Sequence, residues 1–365
     1  MATDQDERWM AEALSLGMQE LGATWPNPAV GCIIVKEGQV VGRGWTQKTG
    51  RPHAEAVALA EAGPAAEGAT AYVTLEPCSH HGKTSPCAEA LIAAKVARVV
   101  VATEDPDPRV SGRGLSILRE AGVDVAVGVL EREARASNAG FLKRIEAGRP
   151  FVTLKLATAL DGRIATASGE SQWITGPEAR KEVHAMRARH DAVMVGGGTV
   201  RADNPSLTVR GVGEPKAPIR IIVSAALDIA EDGNLARSAH HPPVWLFHGP
   251  DCSRERCDAW TSRGARLFQA ELSGDQLDMG AIIAALARSG ITRIFCEGGG
   301  AIAASLLRAA CVDEIVYFTA GLFLGSEARP GIGILGIKDL ASTQRFRLKE
   351  FRQVGRDLMH IWETE

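Results

Sequence analysis

Two successive series of short apolar runs, each interleaved with helix-spaced segments, constrain this chain more than any other feature. In the first series, Ala29 to Val35 and Val40 to Trp45 flank the turn Lys36-Glu37-Gly38 and predict a β-hairpin. Strands at Thr70 to Leu75, Ala97 to Thr103 and Val123 to Val127 then alternate with helices at His53 to Ala62, Pro86 to Lys95 and Gly112 to Ala121. A helix over residues 9–22, stopped by Gly22, precedes them. Such alternation builds a largely parallel sheet with helices on its faces, so the class is α/β.

The stretch Glu131 to Pro150 changes character. It is charged, helical in pattern, and closed by Gly148 and Pro150, which places a domain boundary there and divides the chain into 1–147 and 148–365. The length of 365 residues agrees, because single cores stop growing well below it. A second strand series follows at Phe151 to Leu156, Ala192 to Val195, Ile219 to Val223, Val244 to His248, Ile291 to Cys296 and Glu314 to Thr319. The tail alternates from Phe346 to Trp362 around Val354-Gly355-Arg356-Asp357 and predicts a closing antiparallel hairpin.

Charge and cysteine content narrow the setting. A formal net charge of −3 gives no general attraction to a polyanion, so nucleic acid is not an expected partner. No apolar run approaches the roughly 18 residues needed to cross a bilayer, so no membrane is expected. Met1 to Arg8 is acidic and polar, unlike a secretory signal. Seven scattered cysteines fit a reducing compartment, which predicts a cytoplasmic protein.

The strongest chemical pattern is Pro52-His53-Ala54-Glu55, followed by Glu76-Pro77-Cys78 and Cys87. One imidazole and two thiolates, His53, Cys78 and Cys87, supply three zinc ligands and leave a fourth position for water. Zinc lowers the pKa of such a water toward neutrality, which yields a nucleophile for an amidine carbon. Glu55 has the type and spacing for moving the proton from water to the ring nitrogen and the departing ammonia. Both ligand groups fall at expected helix starts, where backbone N–H groups stabilise thiolates. The pattern is that of the zinc nucleobase and nucleoside deaminases. A closed structural site would need a fourth protein ligand, for which His80 or His81 is at hand, but it would not require Glu55. Cys32, inside an apolar strand, reads as a packed small hydrophobe.

Cys78 and Cys87 are separated by a long loop, Ser79-His80-His81-Gly82-Lys83-Thr84-Ser85-Pro86, suited to a phosphate or a polar small molecule. Together with Trp25-Pro26-Asn27-Pro28-Ala29-Val30-Gly31-Cys32 and Tyr72-Val73-Thr74-Leu75, these motifs resemble the deaminase half of the bifunctional riboflavin-biosynthesis deaminase/reductases. The resemblance implies a cytidine-deaminase-like three-layer domain with one zinc ion. It also implies hydrolytic deamination of a diaminohydroxy-phosphoribosylamino-pyrimidine. By matching motif, Asn27 would help bind the pyrimidine and Lys83 the phosphate end. Asp105-Pro106-Asp107-Pro108 departs from the Asp-Pro-Asn-Pro of relatives.

In the second half, Val193 to Thr199 and Ile294 to Ala301 are each an apolar strand entering a glycine turn. Such turns let backbone amides approach a pyrophosphate, although neither run carries a full Gly-x-Gly-x-x-Gly. Lys155 to Arg163, Ala167 to Thr175, Asp203 to Arg210 and Glu297-Gly298-Gly299-Gly300 resemble the reductase half of the same family. That resemblance implies a dihydrofolate-reductase-like domain that uses NADPH to reduce a ribosyl group to ribityl. By matching position, Ala157, Trp173, Thr199, Asp203 and the run Gly299, Gly300, Ala301, Ile302, Ala303, Ala304 and Ser305 would line the NADPH site. Ser171, Arg187, Leu207, Arg210 and Glu297 would contact the sugar phosphate. Lys155 or Asp161 would polarise or protonate the ribose ring oxygen. Trp173 has a core-packing reading beside the cofactor one, and Ala225 stands where relatives carry a serine. Relatives also imply a homo-oligomer acting on small-molecule pyrimidine ribosyl phosphates. Two rivals remain at this level. One is a nucleoside or transfer-RNA deaminase with a non-catalytic nucleotide-binding C-terminal domain, and the other is a binding module that senses a pyrimidine.

Overall fold

A computed structural model describes residues 3–80, 85–108, 110–213 and 217–365. The chain forms two compact units, Met1–Gly148 and Arg149–Glu365.

The first unit contains α1 (Asp4–Gly17), β1 (Gly31–Lys36), β2 (Gln39–Trp45), α2 (Ala54–Ala62), β3 (Thr70–Val73), α3 (Cys87–Ala93), β4 (Arg98–Val101), α4 (Arg113–Glu120), β5 (Asp124–Val127), α5 (Glu131–Ser137) and α6 (Ala139–Ala147). Its sheet runs β2-β1-β3-β4-β5. The largely parallel expectation is corrected here, because only β3, β4 and β5 are mutually parallel and β1 is antiparallel to both neighbours. The cause is local. Glu37 and Gly38 take φ of 50° and 74°, the left-handed pair that a tight hairpin turn requires.

Alternation along β1 divides two layers. Cys32 and Ile34 face a core completed by Ala54, Leu91, Leu115 and Phe141, while Ile33 and Val35 face Trp9, Met10 and Tyr72. Small residues let the helices lie close. A Cβ on Gly44 would come 2.0 Å from the Ala54 carbonyl oxygen, and one on Gly31 would come 1.8 Å from that of Ala13. Helices α2 and α1 therefore rest almost directly on the strand backbones, one on each face, and make a three-layer unit.

The second unit contains β6 (Phe151–Ala159), β7 (Arg163–Ala165), α7 (Pro177–Arg187), β8 (Ala192–Gly196), α8 (Gly197–Asp203), β9 (Ile219–Val223), α9 (Asn234–Arg237), β10 (Val244–His248), α10 (Arg254–Ser262) and β11 (Arg266–Gln269). It continues with β12 (Leu272–Ser273), β13 (Gln276–Leu277), α11 (Met279–Arg288), β14 (Arg293–Cys296), α12 (Gly300–Arg308), β15 (Glu314–Ala320), β16 (Arg329–Pro330), β17 (Phe346–Val354) and β18 (Asp357–Thr364). The main sheet runs β11-β10-β9-β8-β14-β6-β15-β18-β17. All its pairs are parallel up to β15, and the expected tail hairpin then adds β18 and β17 antiparallel.

Strand β14 inserts between β8 and β6, so the glycine turns that follow β8 and β14 emerge side by side at one end of the sheet. At the opposite end of these strands the buried Asp191 carboxylate ties the start of β8 to the start of β14 by accepting from the Thr292 N–H at 2.6 Å, its hydroxyl at 2.7 Å and the Arg293 N–H at 2.9 Å. Arg220, fully buried in β9, donates to the Ser206 and Ser238 carbonyls and ties the loop after α8 to the core. Among the described residues, no helix is long and apolar enough to cross a membrane.

Candidate active sites

His53 is the N-cap residue of α2, and Glu55 is the second residue of that helix. Cys87 opens α3, and Cys78 lies in the loop after β3. The close approach of α2 to β2 carries His53 toward the cysteines. Its Nδ1 stands 3.3 Å from Cys87 Sγ and 3.6 Å from Cys78 Sγ. All three donor atoms lie within 4.8 Å of one another. The Cys87 N–H donates to Cys78 Sγ at 3.3 Å. Hydrogen bonds from Cys87 and His53 overcome burial and bring the Cys78 thiol down to about 4, so it is a thiolate at neutral pH. One imidazole nitrogen and two sulfurs held this closely fit Zn²⁺, with one position left over. His80 lines the adjoining cavity but is not part of the donor group, and His81 lies outside the described residues.

Glu55 is buried, and burial next to the Cys78 charge raises its carboxyl to about 7. A carboxyl poised near neutrality can both take and return a proton. It faces a cavity of about 390 Å³ lined also by Asn27, Arg51, His53, Cys78 and His80. Asn27 is therefore brought to the donors, whereas Lys83 lies outside the described residues.

Four further groups stand on this wall to which the sequence assigned no role. Asp105 and Asp107, from the departing Asp-Pro-Asp-Pro motif, line the cavity, as do Glu76 and Arg144. Glu76 is a buried hub that accepts the N–H groups of Asp105 at 3.3 Å, Gly112 at 3.0 Å and Gly114 at 2.9 Å, which fixes the Asp105 loop. Arg144, with Phe141 and Ile145, comes from α6, inside the stretch read as a boundary. The apolar spacing of Phe141, Leu142 and Ile145 is the signal that marks α6 as part of the fold. Asn138, at the junction of α5 and α6, holds the Asn27 loop. Its side chain accepts from the Ala29 N–H at 2.9 Å and donates to the Ala29 carbonyl at 3.0 Å.

In the second unit, Lys155 and Ala157 occupy the β6 face that meets α7. Lys155 is desolvated, which lowers its ammonium pKa against the attraction of Glu297 and Asp203. Arg187, at the end of α7, forms a two-pronged ion pair with Glu297 and donates from Nη1 to the Thr208 carbonyl at 2.8 Å. Arg187 and Glu297, both expected to contact the sugar phosphate, thus meet each other, and Glu297 takes up the Nε and Nη2 donors of the guanidinium. Ser171 Oγ donates to Asp203 Oδ1 at 3.3 Å, and the Arg210 N–H donates to His184 Nδ1 at 3.2 Å. His184 is a member of this constellation that the sequence did not flag.

The two glycine turns meet above it. Thr199 Oγ1 donates to the Gly298 carbonyl at 3.1 Å, and a Cβ on Gly299 (φ 97°) would strike that hydroxyl at 2.8 Å. Two helix starts with bare backbone at adjacent strand ends make a cradle that fits a dinucleotide phosphate. Trp173 is 63% exposed, which removes its core-packing reading, and Arg180 stacks 4.5 Å over its ring.

Three expectations need correction. Ile302, Ala303 and Ala304 are buried in α12, and Ser305 Oγ bonds the Ala301 carbonyl at 3.1 Å, so their side chains serve packing, while Gly299, Gly300 and the exposed Ala301 stand at the open start of the helix. Leu207 is buried in the core beside β8 and β9, which leaves its backbone as the part able to meet a ligand. The Asp161 carboxylate accepts from Leu324 and Gly325 N–H groups at 3.1 and 2.8 Å, and so it serves as a loop anchor.

Comparison with known proteins agrees with both halves. A profile of the cytidine and deoxycytidylate deaminase zinc-binding region matches residues 3–103, and a RibD C-terminal domain profile matches residues 150–360. The riboflavin biosynthesis protein RibD of Escherichia coli (strain K12) is 44% identical over 370 residues, covering 98% of this chain and 99% of that protein. Its counterpart from Aquifex aeolicus (strain VF5) is 41% identical over 359 residues, with 98% of each covered. Among solved structures, RibD from Acinetobacter baumannii superposes with a TM-score of 0.87 at 37% identity, covering 99% of both chains. A diaminohydroxyphosphoribosylaminopyrimidine deaminase/5-amino-6-(5-phosphoribosylamino)uracil reductase from Thermotoga maritima gives 0.86 at 31% identity, again over 99% of both. With a deaminase unit and a reductase unit in that order over nearly its whole length, the chain belongs to the RibD family of riboflavin biosynthesis proteins.

Proposed function

We propose that the first unit hydrolyses the exocyclic amine of a diaminohydroxy-phosphoribosylamino-pyrimidine, and that the second uses NADPH to reduce the ribosyl group of the product to a ribityl chain. The observation that carries this reading is the convergence of His53, Cys78 and Cys87 beside buried Glu55 on one cavity. Residues 1–147 make up the proposed deaminase domain and 148–365 the reductase domain. The protein is proposed to act in the cytoplasm as a homo-oligomer on small molecules, with neither nucleic acid nor membrane as partner. Seven free cysteines support the reducing compartment.

His53, Cys78 and Cys87 are the residues that would hold zinc, which when bound supplies a Lewis acid that eases deprotonation of water. Glu55 then acts on protons alone. Its carboxylate takes one from the attacking water and passes it to the pyrimidine ring nitrogen. The second water proton goes by the same oxygen to the amine, which leaves as ammonia. Asn27 orients the pyrimidine, and Lys83 is assigned the phosphate.

In the second unit, Gly299, Gly300 and Ala301 with Thr199, Asp203, Ala157 and Trp173 would hold NADPH, which when bound supplies hydride to C1′. Lys155 is favoured over Asp161 as the group that holds a proton for the ring oxygen as the ribose opens. It is desolvated among Glu297, Arg187 and Asp203, and its lowered pKa makes the ammonium a stronger acid. Ser171, Arg210 and the Arg187–Glu297 pair are the proposed substrate contacts.

The test is an assay of zinc-replete protein with the diaminopyrimidine ribosyl phosphate, following ammonia release and NADPH absorbance together. Ammonia without NADPH, then NADPH oxidation on its addition, is the expected outcome. Ammonia alone would demote the second unit to a binding role, and the absence of both signals would overturn the substrate assignment.

A further inference from the structure

Among the described residues, one other group of metal-type donors comes together, and it lies in the second unit: His248, Cys252 and Cys257. His248 ends β10, Cys257 lies in α10, and Cys252 is in the turn that joins them. The sulfurs of Cys252 and Cys257 are 3.6 Å apart, and Cys257 Sγ is 4.0 Å from His248 Nε2. All three donor atoms fall within 4.8 Å of one another. A tetrahedral Zn²⁺ with Zn–S bonds of about 2.3 Å holds its sulfurs about 3.8 Å apart, which matches the spacing of the two thiols, and the imidazole need only close in on them to complete three ligands.

The imidazole is also oriented for the task. Its Nδ1 lies 2.9 Å from the Gly249 carbonyl, which can only accept, so Nδ1 carries the hydrogen and the Nε2 lone pair turns to the thiols. A second-nitrogen hydrogen bond of this kind is the regular companion of metal-bound histidine. Packing alone would not ask for it. All three residues are half-buried, so the group is not sealed inside the core.

We propose that His248, Cys252 and Cys257 bind a thiophilic divalent cation of the zinc type in the reductase unit, separate from the donor set of the deaminase unit. Full-length protein loaded with zinc under reducing conditions and dialysed against metal-free buffer should retain two zinc ions per chain by elemental analysis. C252S/C257S and C78S/C87S should each retain one, and the quadruple variant none. His248→Gln keeps both thiols and guards against misfolding. It should lower affinity at the second site by more than about tenfold, since even outer-shell losses cost that much. Cobalt(II) added to apo C78S/C87S should give a thiolate charge-transfer band that C252S/C257S removes. Wild-type protein holding a single zinc that C252S/C257S leaves in place overturns the proposal. So does a stoichiometry of two that the same substitutions do not change.

Discussion

Glu55 works by moving protons. The residue is not one of the three grouped donors, yet it is buried where a charge is costly and its carboxyl sits near neutrality. Glu55→Gln preserves shape and burial but cannot accept the proton of water. The variant should keep its zinc and lose about 10²- to 10⁴-fold in deamination rate. Metal analysis and ammonia release on the same preparation check this, and turnover near the parent's would sink the assignment. These residues were legible early because His-x-Glu and Pro-Cys carry their chemistry in side-chain type. Glu76 and Asn138 were not, since their role is to hold backbone N–H and carbonyl groups of loops distant in sequence. Nothing about a lone Glu or Asn announces such a partner.

Element-scale predictions rest on how helices meet sheets. Helix α2 delivers His53 and Glu55 only because β2 presents glycine beneath it. A Cβ on Gly44 would lie 2.0 Å from the Ala54 carbonyl and 2.6 Å from the Ala58 nitrogen, both backbone atoms that cannot rotate away. Gly44→Ala should therefore cost about 1–3 kcal/mol by overpacking and lower deaminase activity by moving α2. Chemical denaturation and ammonia release measure the two effects. A variant as stable and active as the parent would refute the close-packing account.

In the second unit, His190 pins α7 to β6. Its Nδ1 donates to the Met186 carbonyl at 2.8 Å, and its Nε2 lies 3.1 Å from Thr153 Oγ1. Burial, aided by Arg293, lowers its pKa to about 3, against about 6.5 unfolded. Below pH 6.5 the unfolded chain takes the proton first. Stability from His190 is thus full above that value and is lost as pH falls toward 3, by about 1.4 kcal/mol per pH unit. His190→Gln should flatten the acid limb of the unfolding midpoint against pH. Parallel curves for parent and variant would count against the buried neutral ring. The strand series and the tail hairpin were readable from alternation, while β11 was not. Arg266-Leu267-Phe268-Gln269 is short and edge-placed, and its order comes from the parallel ladder to β10.

Across the whole chain, each sheet and each core lies within one unit, so each activity should survive separation. The place to cut follows from Arg149. Its guanidinium forks the buried Asp313 carboxylate at 2.7 and 2.8 Å, and the same carboxylate accepts the Val152 N–H at 2.8 Å. The first residue of the second unit therefore clamps the start of β6 to the start of β15. A protein beginning at Arg149 should fold and oxidise NADPH when given the deaminated pyrimidine, with no ammonia released from the amino precursor. One beginning at Phe151 leaves Asp313 buried without its guanidinium, which costs about 3–5 kcal/mol for a broken buried pair. That loss is comparable with a typical domain's whole stability, so the shorter protein should unfold at much lower urea. Equal midpoints for the two would show that Arg149 does not close the reductase fold. Failure of both to oxidise NADPH would show that the second unit needs the first.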